Sequence, residues 1–204
     1  MAKPNVRNTR EVEKRSVDTN TSADDKKTKD CPQQVVTYIR WGNTTCPYGA
    51  NTIYKGTAVG GHYNLKGSAA NMMCLPLNTM NNPINVGGNA IAYAVEYRIS
   101  RALNHAECRN MPCSLCEATG RDDNIMIPSH YVCPNDWHKE YSGYILAGND
   151  GHPGSSMYYC INESLEQIKG SGSCEDIHLL YPVLARRSYV STTSNTLSCV
   201  VCTK

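Results

Sequence analysis

Large aromatic side chains, net charge and long apolar runs are all scarce in this 204-residue chain. Phenylalanine is absent and only 7% of the residues are aromatic, so large rings cannot supply most of a core. The net charge is +2, which gives nucleic acid no overall basic surface to bind. The longest apolar run, residues 90–95, is far shorter than the roughly 20 residues of a membrane-spanning helix. The sequence therefore predicts no membrane span and no nucleic-acid partner.

Two sequence patterns are also missing. Residues 1–17 carry positive charge but no apolar segment of the kind found in signal peptides, which indicates a processed or engineered N-terminus. The alternative is a cytosolic protein that uses its cysteines to hold a metal. No Gly-X-Y run occurs, so this polypeptide is not expected to form a collagen triple helix.

Cysteine, in contrast, is abundant. Eleven cysteines are several times the number usual in a cytosolic domain of this length, and disulfides persist outside the cell and in the secretory lumen. The composition therefore predicts a secreted, extracellular protein. Because eleven is an odd number, at least one thiol is free, bonded to another chain or bound to a metal.

The composition changes near residue 36. Residues 1–36 hold eight Lys or Arg and six Asp or Glu with few apolar side chains, which predicts a flexible charged arm. Beyond it, short apolar stretches are separated by turn residues. Strands are predicted for the alternating stretch at residues 36–40 and for residues 90–99 and 141–147, and residues 163–169 are expected to form one short helical turn. The prediction is a mostly β fold.

An internal repeat organises the cysteines after this arm. Two sets of four have nearly the same spacing: Cys46, Cys74, Cys113 and Cys116, then Cys133, Cys160, Cys199 and Cys202. The intervening segments are 27, 38 and 2 residues long in the first set and 26, 38 and 2 in the second. Such self-similarity indicates two copies of one supersecondary unit.

The residues around the cysteines repeat as well. Tyr54-Lys55-Gly56 matches Tyr141-Ser142-Gly143, and the stretch from Ala92 to Val95 matches that from Leu180 to Val183. We therefore predict two small disulfide-braced β units, residues 37–120 and 121–204, in one compact tandem domain. In a unit this small, disulfides compensate for a limited core.

Several motifs resemble the C-terminal domain of short-chain, spongin-type collagens. They are Arg40-Trp41-Gly42-Asn43-Thr44-Thr45-Cys46-Pro47, Cys74-Leu75-Pro76, Pro112-Cys113-Ser114-Leu115-Cys116, Met126-Ile127-Pro128, Glu140-Tyr141-Ser142-Gly143-Tyr144 and Cys199-Val200-Val201-Cys202-Thr203-Lys204. The resemblance covers about residues 37–204. More distantly, the twofold pattern is similar to the C-terminal non-collagenous domain of type IV collagen, a mostly β tandem that trimerises and pairs into hexamers.

Each set of four cysteines can pair in three ways, and the spacing alone does not select one of them. The similarity to the type IV collagen domain implies one pairing. The implied pairs are Cys46–Cys116, Cys74–Cys113, Cys133–Cys202 and Cys160–Cys199. The chain also departs from the spongin-type pattern, because no cysteine pair follows Ala185-Arg186-Arg187-Ser188. Cys31, Cys108 and Cys174 are additional; Cys108 and Cys174 stay unassigned, and Cys31 is expected to join chains.

Other kinds of site fit the sequence less well than structural disulfides do. The two Cys-x-x-Cys pairs could hold zinc, but they lie over eighty residues apart, whereas zinc knuckles are ~15–20 residues apart. The glycine pairs at 60–61 and 87–88 are interpreted as turns. No nucleophile motif or phosphate loop occurs, so no catalytic residue, cofactor or metal is predicted.

Asn20, Asn43 and Asn162 lie in Asn-x-Ser/Thr sequons, which predict surface loops and candidate glycans.

The expected function is that of a secreted, non-enzymatic extracellular-matrix module. The resemblance implies that its partners are copies of itself, as a trimer, a higher oligomer or a fibre, together with other matrix components. The alternative from the residues is a lectin-like or other ligand-binding module that uses tyrosine and tryptophan side chains on loop tips.

Overall fold

The structure, a computed structural model, describes residues 33–78, 87–88, 90–99, 106–170, 177–185 and 195–204. The regular elements of these residues are all β-strands, so the mostly β prediction is confirmed. They are β1 (Val35–Trp41), β2 (Ala50–Gly60), β3 (Met73–Pro76), β4 (Tyr93–Tyr97), β5 (Pro112–Thr119), β6 (Asn124–Pro128), β7 (His138–Ala147), β8 (Tyr159–Asn162), β9 (His178–Pro182) and β10 (Ser198–Thr203). Within these ranges, no helix is long and apolar enough to cross a membrane.

Two local expectations differ from the structure. The first strand begins at Val35, so the folded part starts before the expected end of the arm at residue 36, while residues 1–32 lie outside the described residues. Residues 163–169 form no helical turn. Their backbone bonds to distant segments instead: Glu163 N–H donates to the Ser142 carbonyl and Glu166 N–H to the Gly42 carbonyl, at 3.0 and 2.8 Å. Tertiary hydrogen bonds thus replace local ones.

Seven strands form a closed barrel. In the order β7, β8, β1, β5, β2, β4, β9 each strand pairs with the next, and β9 pairs with β7 again. The remaining three strands extend this barrel, because β10 pairs with β7, β6 with β10 and β3 with β2. Closure satisfies backbone groups that would otherwise line two open sheet edges.

The same four pairings occur before and after residue 120. We call residues 33–120 the first half and residues 121–204 the second half. In the first half β5 pairs with β1 and β2, and β2 pairs with β3 and β4. In the second half β10 pairs with β6 and β7, and β7 pairs with β8 and β9. Each strand of the first half therefore matches the strand that comes five later in chain order, so that β1 matches β6 and β5 matches β10.

The two halves share their apolar core. One cluster of buried side chains contains Tyr97 of β4 and Ile161 of β8, and a second contains Tyr38 of β1 and Tyr141 of β7. Buried tyrosines thus occupy positions that phenylalanine fills in many cores. Residues Gln33–Lys204 form one compact unit, as expected when both clusters draw on both halves.

Candidate functional site

Four disulfides hold the sheet together. Cys46 is bonded to Cys116, Cys74 to Cys113, Cys133 to Cys202 and Cys160 to Cys199. These are the pairs that the similarity to the type IV collagen domain implies. In each half the longer loop spans 70 or 69 residues and the shorter spans 39.

These bonds leave both Cys-x-x-Cys pairs oxidised, so they offer no thiolates to a metal. Cys108, which the sequence left unassigned, is also disulfide-bonded. Cys31 and Cys174 lie outside the described residues. Within the described ranges, no group of three or more His, Cys, Asp or Glu side chains could hold a metal ion.

Close backbone contacts recur beside the disulfides. A Cβ on Gly56 would lie 2.4 Å from the Leu75 carbonyl oxygen, and a Cβ on Gly143 would lie 1.7 Å from that of Ile161. Two residues before each glycine, the tyrosine hydroxyl donates to the carbonyl of the shorter loop's first cysteine, and both distances are 3.1 Å. The Tyr-x-Gly motif in each half thus lets two strands approach and then joins them.

The first contact between the halves is the parallel pairing of β1 with β8, where Trp41 lies opposite Ile161. Asparagines border this contact on both sides. The Asn43 side-chain oxygen accepts from Thr45, and that of Asn162 accepts from the Ser164 N–H at 2.9 Å.

Both asparagines are buried, with exposed fractions of 6% and 3%. The expectation that these sequons mark surface loops is therefore wrong for Asn43 and Asn162, because their side chains form turns inside the contact between the halves. A glycan on Asn43 would also displace the hydrogen bond that its Nδ2 donates to the Ser164 carbonyl at 3.3 Å. Asn20 lies outside the described residues.

A buried carboxylate joins the halves at the middle of β1. Glu140 of β7 accepts hydrogen bonds from the Tyr38 hydroxyl of β1 and from Thr203 Oγ1, the latter at 2.6 Å. Arg121 Nη1 lies 2.5 Å from the same carboxylate. Burial, followed by this hydrogen bond, raises the pKa of Tyr38, so its hydroxyl stays protonated and able to donate.

The second contact between the halves places β9 beside β4. Val95, Glu96 and Tyr97 pair in parallel with His178, Leu179 and Leu180. Parallel strands far apart in sequence leave no local signal, and the sequence did not predict this pairing.

Residue types at the end of β2 make room for β9. The His178 ring would lie 3.1 Å from a Cβ on Gly60, and its Nδ1 is hydrogen-bonded to the Gly61 carbonyl. Tyr63 N–H donates to the Ile177 carbonyl at 3.2 Å. The interpretation of Gly60 as a turn residue is therefore wrong. Gly60 is the last residue of β2, and its missing side chain leaves room for the histidine. Residues 177–180 fill a site beside the end of β2.

The second half has a cavity at the corresponding place. Ala147 at the end of β7 pairs with Tyr181, just as Gly60 at the end of β2 pairs with Tyr93. Beside Ala147 and Tyr181, no strand of the described residues takes the place that β9 takes in the first half. A half-open cavity of about 860 Å³ lies there instead, which we call the second-half cavity. Its described lining is Arg98, Ala147–Asp150, His152, Gly154–Ser156, Tyr158, Tyr181–Leu184 and Thr196.

Two strands keep an unpaired edge in the described part of the chain. They are β3, which pairs with β2 alone, and β6, which pairs with β10 alone. Apolar side chains are exposed on both: Met73 and Leu75 on β3, and Met126 on β6. Ile91, just before β4, is 63% exposed, and Leu184, just after β9, is 51% exposed. Unpaired edges with apolar side chains favour pairing with another chain.

A comparison with models of known protein families finds none that matches this chain. The arrangement therefore has to be interpreted from its own geometry. The described residues include two strands with one unpaired edge each, exposed apolar side chains on or near them, and a cavity next to a strand end. Such features bind polypeptide segments by strand pairing.

Proposed function

We propose that this protein is a secreted, non-enzymatic structural module of the extracellular matrix that acts by self-association. Four disulfides in a barrel of small strands support an oxidising, extracellular location. The observation that carries the proposal is that the surfaces of the two parallel strand contacts between the halves have counterparts that are exposed or line a cavity in the described part of the chain.

The proposal includes a tandem duplication, with an architecture like that of the type IV collagen domain. The same four strand pairings, the same disulfide pattern and the same Tyr-x-Gly contacts occur in both halves, which supports descent from one unit. Counterparts are then assigned by strand partners. Tyr93 corresponds to Tyr181, because each is opposite the last residue of β2 or β7.

The contact between β4 and β9 assigns one pair of counterparts. Within the chain, residues 95–97 of the first half pair with residues 178–180 of the second. Tyr93 and Tyr181 are 88 positions apart. Adding 88 to residues 95–97 gives residues 183–185, and subtracting 88 from residues 178–180 gives residues 90–92. Residues 183 and 184 line the second-half cavity, and residues 90–92 are exposed. We infer that residues 90–92 of a second copy occupy that cavity beside residues 183–185.

The contact between β1 and β8 assigns the other pair. Gly42 N–H donates to the Pro112 carbonyl as Ser129 N–H donates to the Ser198 carbonyl, so Trp41 of β1 corresponds to Pro128 of β6. Ile161 follows Cys160 as Leu75 follows Cys74, so β8 corresponds to β3. The edges of β6 and β3 are both unpaired in the described part of the chain, and we infer that β6 of one copy pairs with β3 of the next.

Both inferred contacts use different surfaces on the two partners, so the association is head to tail. Repetition of such a contact gives a ring if the rotation closes and a fibre if it does not. A trimer or higher oligomer, or a fibre, is therefore the proposed state. Cys31 is proposed to tether chains covalently, because the cysteine count is odd; gels run with and without reductant test this tether.

We call residues 90–92 the docking segment. The first experiment replaces its large apolar side chain, Ile91, which is exposed, with aspartate. Burial of an isoleucine side chain is worth ~1.5–3 kcal/mol, so Ile91→Asp should weaken association at least about tenfold in sedimentation velocity. Tyr48→Asp is the matched control, since Tyr48 is fully exposed away from the assigned contacts. A wild-type chain that stays monomeric at every concentration would overturn the proposal.

A second experiment tests the register. Both double variants are made in a Cys31→Ser chain, which removes the proposed tether. By the assignment above, Ala90 of one copy lies opposite Val183 of the next, so Ala90→Cys with Val183→Cys should form disulfide-linked chains in non-reducing gels. Ala90→Cys with Tyr48→Cys is the mismatched control. Equal cross-linking in the two double variants would contradict the assigned register.

The alternative function is that of a lectin-like or other ligand-binding module. The observation that favours it is the lining of the second-half cavity, where the rings of Tyr158 and Tyr181 lie near the polar side chains of Asn149 and Asp150. Such a lining suits a small polar ligand such as a sugar. Saturable glycan binding by a monomeric chain would favour this function over self-association.

A further inference from the structure

His152 borders the second-half cavity on the side that faces the first half. Its ring lies 4.7 Å from that of Tyr63 and 5.6 Å from that of Tyr181. The Nδ1 atom is buried and has no hydrogen-bond partner in the described part of the chain. The ring is therefore held between two tyrosines, at the place where a docked segment would cover it.

Among the described residues, few charges face this ring. Asp150 lies on its own loop, and Arg98, Tyr158 and Tyr181 line the same cavity. From the loop after β2, Tyr63 packs against His152, and His62 stacks on Tyr63. Burial lowers the pKa of His152, so the ring is neutral at neutral pH. The docking segment, Ala90-Ile91-Ala92, would add no charge.

The first half has a histidine in the matching arrangement. The His62 ring lies edge to face against Tyr93, with centroids 4.9 Å apart, as the His152 ring lies against Tyr181. In the first half the neighbouring site is filled by β9, whose His178 is buried. In the second half the site beside His152 is the open cavity, so the surroundings of His152 are the ones that a second copy would change.

We propose that His152 makes self-association sensitive to acid, so that copies associate at neutral pH and separate when this ring is protonated. The inference rests on the proposed function. A docked apolar segment removes water from the ring, and this disfavours the imidazolium form. The pKa of His152 would be lower in the associated state than in the free chain, so association would be lost as pH falls through the free-chain pKa.

Sedimentation velocity of the full chain at pH 7.5 and pH 5.0 tests this proposal. A fall in pKa of one unit on docking corresponds to roughly a tenfold change in affinity, so wild-type association should be about five- to tenfold weaker at pH 5.0. His152→Leu, which removes the titratable ring and keeps an apolar side chain, should remove most of this difference. His138→Gln, at an exposed site on β7 outside the cavity and the inferred contacts, should keep it.

The outcomes separate the two proposals. Intrinsic tryptophan fluorescence at both pH values confirms that each chain stays folded. If acid weakens association equally in wild type and His152→Leu, the acid sensitivity proposed for His152 is wrong while self-association stands. If wild type associates equally at both pH values, the same conclusion holds. If no chain associates at either pH, self-association itself is wrong.

Discussion

Replacement of Glu140 should destabilise the fold more than any other single polar change at the contact between the halves. Its carboxylate is buried and accepts from the Tyr38 hydroxyl, Thr203 Oγ1 and Arg121. Tyr38 lies in the first half and the other groups in the second. A change at Glu140 therefore tests whether this buried carboxylate holds the halves together.

The magnitude follows from what each variant leaves behind. Glu140→Ala leaves the largely buried Arg121 charge unpaired, which costs roughly 3–5 kcal/mol, and two hydroxyls without an acceptor. We expect a loss of about 4 kcal/mol or more. Glu140→Gln keeps an acceptor of similar shape but removes the charge, and should cost about 2 kcal/mol. Tyr38→Phe removes one hydroxyl and should cost about 1 kcal/mol.

Urea unfolding with the disulfides intact measures these losses. With a slope of roughly 2 kcal/mol/M, Glu140→Ala should lower the midpoint by about 2 M. The double variant with Tyr38→Phe should lose less than the sum of the single losses, by about 1 kcal/mol, because the two residues share a hydrogen bond. Strict additivity, or a midpoint shift below about 0.5 M for Glu140→Ala, would refute the reasoning.

Two further predictions concern backbone contact and pH. Gly143→Ala should destabilise by roughly 3 kcal/mol in the same unfolding assay and more than Gly56→Ala, because β8 is held between β7 and β1 while β3 can shift outward; an equal loss would contradict this. Burial raises the pKa of Tyr38, Tyr97 and Tyr141, so stability should fall above about pH 10, where only the unfolded chain releases these protons. The slope should reach roughly 1.4 kcal/mol per pH unit for each tyrosine, and a flat profile from about pH 10 to 11 would disprove it.

The division of the cysteines into two sets was accessible from the sequence because cysteine spacing survives as a one-dimensional pattern, whereas the pairing within each set was implied only by the resemblance. The two matched sets, Cys46 to Cys116 and Cys133 to Cys202, are the ones that the structure bonds within each half. Strand β1 was predictable for a similar reason, since its buried residues Val36 and Tyr38 alternate with exposed ones. Burial of Asn43 and Asn162 was not predictable, because the sequon describes three residues and not the segment that covers them.

The sequence by itself thus determined the strand content, the two matched cysteine sets and the repeated motifs, all of which are properties of neighbouring residues or of regular spacing. Only the tertiary structure decided which surfaces of the two halves meet. The parallel contacts of β1 with β8 and of β4 with β9 join residues 120 and 83 positions apart. The contact of β4 with β9 also depends on Gly60 leaving space for His178. The second-half cavity and the unpaired edges of β3 and β6 were decided in the same way. Contacts between distant segments arise when strands pack in three dimensions, and no local periodicity records them.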